Sequence, residues 1–210
     1  MNSGYPTLDL TLAIMAGGLS SRMGEDKALK PFLGLPLIQR VADHLSPLVA
    51  ETLVTTNDPA EYGFLNLPLV PDRVPGKGAL GGLYTALEAA GHAIVAVVAC
   101  DMPFASPGLL QVAYKIMEAE AADVVLPRSV DGLEPMHALY RRETCLPVVR
   151  KAIQEDRLQV IAWFAGVRVR ELAPKEITAA DKSGLTFFNI NTTEDFLRAE
   201  QLAARGENSR

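Results

Sequence analysis

The sequence predicts an α/β sandwich with a mostly parallel central sheet, and three observations predict it. Apolar runs at 8–15, 53–56, 67–70, 94–100 and 124–126 alternate with stretches of helix period, as parallel strands joined by crossover helices do. The first run stops abruptly at Ala16-Gly17-Gly18, a turn in which residues without a β-carbon let a strand expose its backbone. Three segments that carry chemistry, this glycine loop, Asp72 and Asp101, each close a strand. They therefore meet at the carboxyl edge of the sheet, where open α/β folds bind their ligands.

Each element has a local reason. Residues 8–15 form the first strand. Pro36 starts a helix in which Leu37, Ile38, Val41 and Leu45 share one face, and Pro47 follows its end. Residues 53–56 make a second strand, with Asn57-Asp58-Pro59 as its exit turn. Residues 67–70 lead into a loop with two prolines and two glycines. Beyond it Leu80, Leu83, Tyr84 and Leu87 recur at helical spacing, so a helix runs from near Ala79 to Gly91. The run 94–100 is the most hydrophobic and belongs at the centre of the sheet, buried on both faces. Ser106-Pro107 offers an N-cap and a first-turn proline for a helix reaching about Glu118. Residues 124–126 form a short strand. From 128 to 172 the pattern is less regular, with a strand at 136–140, a helix at 144–154 and a strand at 167–172. Residues 187–190 read as extended, and Thr192-Thr193-Glu194-Asp195 has capping-box spacing for a last helix. With no repeat and no low-complexity linker, 1–210 reads as a single domain whose ends, about 1–6 and 204–210, are flexible.

Composition narrows the function classes. The 210 residues suffice for one domain that buries roughly 70% of its unfolded surface. Hydrophobic residues at 49% against 21% charged exclude disorder throughout. A net charge of -5 argues against a broad nucleic-acid surface. No run approaches the roughly 18 apolar residues that span a bilayer, and the first residues lack the pattern of a secretory signal, so a cytoplasmic location is expected, with no membrane partner. Cys100 and Cys145 are too isolated for a zinc pattern and read as buried or half-buried thiols; His44, His92 and His137 are likewise scattered.

The glycine loop reads as a phosphate cradle. Gly17, Gly18 and Gly24 free backbone N–H groups to face an anion, and Arg22 and Lys27 add full positive charges. It is not a Walker loop, because Gly18 and Gly24 enclose five residues and Lys27 lies three beyond the second glycine. As a compact charge Lys27 suits phosphates, whereas Arg22 can make a forked contact; the plainer reading of both is a solvated loop cation. Glu25 and Asp26 read as solvent-facing. Asp101 follows seven apolar residues, which puts a carboxylate at the mouth of a buried strand. It reads either as a metal ligand, the role the nearby phosphate loop favours, or as a loop aspartate capping the next helix.

The chain resembles the NTP-transferase superfamily, whose first strand leads into Ala-Gly-Gly or Ala-Ala-Gly, then Ser-x-Arg-Met-Gly and a lysine. Within it, Ala16-Gly17-Gly18 looks like the molybdenum cofactor guanylyltransferase family, the molybdopterin-guanine dinucleotide biosynthesis protein A type. The likeness continues through Asp26-Lys27-Ala28-Leu29, Leu33-Gly34-Leu35-Pro36-Leu37-Ile38, Asp72, Gly78-Ala79-Leu80-Gly81-Gly82-Leu83, Cys100-Asp101-Met102-Pro103-Phe104, Glu134-Pro135-Met136-His137-Ala138-Leu139-Tyr140 and Phe188-Asn189-Ile190-Asn191-Thr192. It implies a three-layer Rossmann-like sandwich of the nucleotide-diphospho-sugar transferase type. It also implies transfer of GMP from GTP to the phosphate of molybdopterin, with or without molybdenum, and Mg2+ as cofactor. Met15, Ala16, Gly17 and Gly18 would contact the guanine nucleotide, Arg22 and Lys27 its phosphates, and Asp72 and Gly78 would add to nucleotide binding. Asp101 would hold nucleotide and metal, and Asn189 and Asn191 would line the site. Molybdoenzymes or cofactor-biosynthesis proteins are the implied protein partners; oligomeric state is not implied.

The chain departs from the family pattern twice. Gly78-Ala79-Leu80 stands where Gly-Pro-Leu is common, which keeps the backbone N–H groups and adds one. Thr55 stands where relatives place a nucleotide-contacting asparagine. His137 reads as a pterin contact or as a core or strand-edge residue. Three other functions fit parts of the sequence: cytidylyl or other nucleotidyl transfer, a nucleotide-binding protein without catalysis, and an NAD-dependent oxidoreductase. The last rests on Gly76-Lys77-Gly78-Ala79-Leu80-Gly81, which fits G-x-G-x-x-G but does not follow a strand directly.

Overall fold

Strands buried on both faces need helices on both sides, and the chain supplies them. The computed structural model describes residues 7–16 and 26–207. In chain order these form β1 (Leu8–Ala16), a small hairpin of β2 (Pro31–Phe32) and β3 (Leu35–Pro36), α1 (Leu37–Leu45), β4 (Val49–Thr56), β5 (Leu69–Pro71), α2 (Gly78–Ala89) and β6 (Ile94–Ala99). There follow α3 (Pro107–Glu120), β7 (Val124–Ser129), β8 (Gly132–Leu133), β9 (His137–Arg141), α4 (Arg142–Gln154), β10 (Val169–Leu172), α5 (Pro174–Ala180) and α6 (Thr193–Glu207). Among the described residues no helix is long and apolar enough to cross a membrane.

The main sheet has the order β10-β7-β9-β6-β1-β4-β5, with β8 added on β7. Its pairings are parallel except at β9, which runs antiparallel to both β6 and β7, and at β8, which runs antiparallel to β7. Strand alternation sorts the core into two layers. Leu10, Leu12 and Ile14 of β1 meet Ile38 and Val41 of α1 and Leu109 and Leu110 of α3. On the other face Ala13 and Met15 join Leu80 and Leu83 of α2, Val149 of α4 and Trp163. The sheet with α1 and α3 on one face and α2 and α4 on the other makes the three expected layers. Because β1, β4, β5 and β6 all point the same way, Ala16, Thr56, Pro71 and Ala99 end on one edge.

A third, smaller core fixes the tail of the chain to that edge. Phe32, Leu37, Ile190 and Ala199 are buried together, with Phe104, Phe188 and Phe196 packed against them. The rings meet edge to face, Phe32 with Phe104 at 6.2 Å and with Phe196 at 5.7 Å, and Phe104 with Phe188 at 6.1 Å. Such pairs add to area burial, about 0.5–1.5 kcal/mol each. The guanidinium groups of Arg40 and Arg198 lie over Phe32 and Phe188 at 5.4 and 5.6 Å and cover the cluster's outer faces.

Several expected elements differ in detail. Residues 187–190 form no strand: Phe188 N–H closes a turn onto Leu185 O, and Ile190 N–H donates to Asp101 O at 3.0 Å. Phe188 and Ile190 are recruited by the aromatic cluster, so their apolar spacing serves a crossing loop instead of a sheet edge. The second strand starts at Val49, four residues before the apolar run that marks it, and the helix after β9 starts at Arg142. Sequence reading missed α5, whose start is marked by Pro174 and by Glu176 accepting from Ala173 N–H at 2.6 Å. The capping box before α6 forms: Asp195 N–H donates to Thr192 Oγ1 at 3.0 Å, and the Asp195 carboxylate accepts from Thr192 N–H at 2.9 Å. Helix α6 continues to Glu207, so part of the 204–210 tail is helical.

His137 is a core residue. It pairs with Val98 in the sheet, is 2% exposed, and its Nε2 accepts from Ser106 N–H at 3.2 Å while Ser106 Oγ caps α3 through Leu109 N–H. Accepting that hydrogen bond requires the neutral ring, and burial pushes its pKa down to about 4. The unfolded chain therefore binds a proton near pH 6.5 that the folded chain refuses. Stability attributable to the neutral ring is complete above that pH and is lost as pH falls toward about 4. The loss should reach on the order of 3 kcal/mol, and urea denaturation of wild type and His137→Gln should show it as a difference curve confined to that window.

Gly108 permits a close approach. A β-carbon there would lie 2.4 Å from Ala180 O at the end of α5. A backbone carbonyl cannot swing aside as a side chain can, so Gly108→Ala should destabilise by roughly 1–3 kcal/mol in chemical denaturation.

Candidate active site

The carboxyl edge brings together residues from the beginning, middle and end of the chain. Asp101 sits just past β6, the strand buried on both faces, so its carboxylate emerges from an apolar wall. Lys27 opens a short 3-10 turn, Lys27–Leu29, and its Nζ donates to Ile190 O and to Asn191 Oδ1, both at 3.2 Å. The same nitrogen stands 4.0 Å from Asp101 Oδ2. Both side chains are largely covered, at 19% and 24% exposure. Ile190 N–H to Asp101 O closes the circuit through the backbone.

The electrostatics of this node follow from its burial. Loss of water pushes the Asp101 carboxyl above its ordinary range, and the Lys27 ammonium opposes that rise. Lys27 in turn is held by two neutral oxygens, so most of its charge remains available to an anion. A half-buried carboxylate whose balancing cation stands beyond hydrogen-bond distance suits a divalent ion shared with phosphate oxygens. Magnesium is characteristically held this way, by one or two carboxylates plus phosphates and water. Among the described residues no group of three His, Cys, Asp or Glu forms a cage made of protein alone.

On the other side of β1, Met15 and Ala16 end the strand beside Thr55 and Thr56 of β4. Thr55 is buried in the sheet, between Met15 and Val70 as backbone neighbours. The Met15 side chain lies over α2, where a β-carbon on Gly82 would come within 2.3 Å of its terminal methyl. Asp72 follows β5 and is tied down by its own loop: Oδ1 accepts from Val74 N–H and Thr85 Oγ1, both at 3.0 Å. Thr85 Oγ1 in turn accepts from Arg73 N–H. Gly76 and Gly78 have φ of +82° and +58°, the left-handed region that favours glycine, and the second opens α2. Lys77 at the N-cap gives no side-chain hydrogen bond to the helix, and its Nζ pairs with Asp156 Oδ1 at 2.8 Å. Gly78 and Ala79, exposed at the start of α2, thus present backbone N–H groups at the positive end of a helix dipole.

Of the expected site residues, Lys27 stands against both Asp101 and Asn191; Met15, Ala16, Asp72 and Gly78 occupy neighbouring positions along the edge. Asn189 is exposed beside them. Gly17, Gly18, Arg22 and Gly24 lie outside the described residues, as does Glu25. His137 faces the core, the second of its two readings. The cysteines are free, Cys100 half-buried and Cys145 buried. The glycine pattern at 76–81 does not turn off a strand, since residues 72–77 separate β5 from α2.

Sequence reading passed over three supports of this site. Thr85 orders the Asp72 loop from inside α2, where a buried threonine gives no pattern of its own. Asp195 accepts from Asn191 N–H at 3.0 Å, a contact the capping-box spacing could have indicated. Asp26 is exposed as expected, and its carboxylate also accepts from the Tyr62 hydroxyl and from Ala28 N–H.

The chain is similar to known proteins over nearly its whole length. A probable molybdenum cofactor guanylyltransferase of Pelotomaculum thermopropionicum is 36% identical, over 97% of this chain and 96% of its own. A molybdenum cofactor guanylyltransferase of Desulfosudis oleivorans is 32% identical over 94% and 97%. Among solved structures, molybdopterin-guanine dinucleotide biosynthesis protein A of Archaeoglobus fulgidus superposes with a TM-score of 0.81 at 27% identity, covering 93% of this chain and 99% of that one. The fold is accordingly the sandwich of the nucleotide-diphospho-sugar transferase type. Residues 12–167, which contain the second half of β1, Lys27, Asp72 and Asp101, match the family model of the MobA-like NTP transferase domain, and the chain belongs to that family.

Proposed function

We infer that the protein is a nucleotidyltransferase that moves GMP from GTP to the phosphate of molybdopterin, giving the guanine dinucleotide form of the cofactor and pyrophosphate. The observation that carries this reading is the meeting of Lys27, Asp101 and Asn191 at the carboxyl edge, in a chain whose relatives bear the guanylyltransferase name.

The reaction is an in-line displacement. An oxygen of the acceptor phosphate forms a bond to the α-phosphorus, and the bond to the bridging α–β oxygen breaks with its electron pair leaving on pyrophosphate. No covalent intermediate on the protein is needed. The protein's task is to hold two anions against their repulsion and to stabilise charge on the leaving group. Lys27 supplies a fixed positive charge, held by Ile190 O and Asn191 Oδ1. The first turn of α2 offers backbone donors, and the Asp72 loop is preordered by Thr85. Met15 and Ala16 present the end of β1 to the base and ribose. Asp101 would hold magnesium, which when bound neutralises phosphate charge. Asn191, held against Lys27, and its neighbour Asn189 would line the site. Arg22, Gly17 and Gly18 would complete the phosphate cradle.

The direct test is a thermal-shift panel of GTP, CTP, ATP, UTP and NAD with magnesium. At a hundredfold excess over Kd a ligand that binds only the folded state adds about 2.7 kcal/mol. For a chain of this size that is about 5–10 °C. GTP alone should produce it; selective stabilisation by CTP would make the enzyme a cytidylyltransferase, and by NAD would overturn the transferase reading. Binding without pyrophosphate release on adding molybdopterin would identify a non-catalytic nucleotide-binding protein.

Steady-state kinetics should separate the two charges. Asp101→Asn should lower turnover on the order of 100-fold or more with the fold intact, as for other lost electrostatic stabilisers. Lys27→Ala should weaken GTP binding and slow transfer. Wild-type magnesium-dependent turnover in Asp101→Asn would remove that residue from the metal site.

A further inference from the structure

We propose that Tyr62 and Asp26 form a positioning pair that sets where Lys27 delivers its charge, a role that rests on the guanylyl-transfer reading of the same edge. Neither residue needs to touch a substrate. Tyr62 lies in the 3-10 segment Pro59–Leu65 that follows β4 and is 1% exposed, among the largest fully buried side chains. Its hydroxyl donates to Asp26 Oδ2. The other carboxylate oxygen, Oδ1, accepts from Ala28 N–H at 3.0 Å, so Asp26 is the N-cap of the turn whose first residue is Lys27.

Fixing an N-cap fixes the direction in which the next side chain leaves. Leu29 N–H donates to Asp26 O at 3.1 Å and Lys30 N–H to Lys27 O at 3.2 Å, which completes the turn. Ala28 is buried within it. Lys27 then projects toward Ile190 O and Asn191 Oδ1, far along the chain. A flexible four-carbon stem could place its ammonium in many positions, and the turn removes that freedom from its root. Phenylalanine would fill the same apolar pocket, so what tyrosine adds is a donor for one oxygen of the cap. Burial and the Asp26 carboxylate push the Tyr62 hydroxyl above its ordinary range, and it stays protonated as a donor throughout physiological pH.

Two readouts test the pair. In the first, without nucleotide, the Lys27 amine is labelled with limiting acetic anhydride and its rate is read from the peptide mass spectrum against the exposed lysines. Tyr62→Phe and Asp26→Ala should label Lys27 severalfold faster than wild type, and Asp26→Asn should not, because its amide oxygen still accepts from Ala28 N–H and its NH2 can donate to the Tyr62 oxygen. In the second, kcat/KM for GTP should fall about tenfold in Tyr62→Phe and Asp26→Ala, a size expected for small misplacement of a binding group. Asp26→Asn should recover most of that loss. In the Lys27→Ala background, Tyr62→Phe should change kcat/KM by less than about twofold, since the contribution passes through Lys27.

Unchanged labelling and unchanged kcat/KM in Tyr62→Phe would overturn the proposal. So would a tenfold loss that persists in the Lys27→Ala background, which would mark a general packing role. Should Tyr62→Phe fail to fold, the Asp26→Ala and Asp26→Asn comparison decides the same question. A wild-type protein that neither binds nor transfers from GTP would refute the guanylyl-transfer reading, while the labelling arm would still decide the positioning of Lys27.

Discussion

One ammonium group joins three distant parts of this chain. Lys27 follows the first strand, Asp101 ends the central strand and Asn191 precedes the last helix, and Nζ of Lys27 is where they meet. Covering a lysine and an aspartate to this degree takes both from water, a cost that a pair separated by 4.0 Å does not recover as stability. The arrangement makes sense as preorganisation. Under the proposed function, a cation and a carboxylate kept in place would let a triphosphate and its metal meet charges already oriented, with little reorganisation left for the reaction.

The scaffold's less regular features serve this node. The aromatic cluster of Phe32, Phe104, Phe188 and Phe196 ties α6, the β2–β3 hairpin and the loop after Asp101 into one body. Each of the three segments carrying Lys27, Asp101 and Asn191 runs directly into that cluster. At the other end of the edge, Thr85 and Gly82 shape the floor beneath Asp72 and Met15. Apolar packing thus sets the distances, and hydrogen bonds set the directions.

Much of the fold was legible because its causes are local. The apolar runs of β1 and β6, the Ser106 cap and the Thr192–Asp195 box all lie within a few residues of the structure they specify. Lys27 and Asp101 were legible as candidates, since a cation after a glycine turn and a carboxylate after an apolar strand are unusual placements. The antiparallel insertion of β9 was not legible, because strand order depends on which edge is free when the chain returns. Residues 187–190 read as extended without showing what they pair with, because extended apolar spacing looks the same whether it pairs in a sheet or packs against aromatic rings.

The sequence by itself determined the alternation of strands and helices, the chemistry available at the strand ends and the family resemblance that points to GTP and molybdopterin. Only the tertiary structure decided which of those residues share a site. It turned His137 into the core, gave Asp26 to Tyr62, and joined Lys27 to Ile190 and Asn191. The physical reason is that such contacts form between residues far apart in the chain, where no spacing rule operates, and a side chain's role depends on what packing leaves within hydrogen-bond reach.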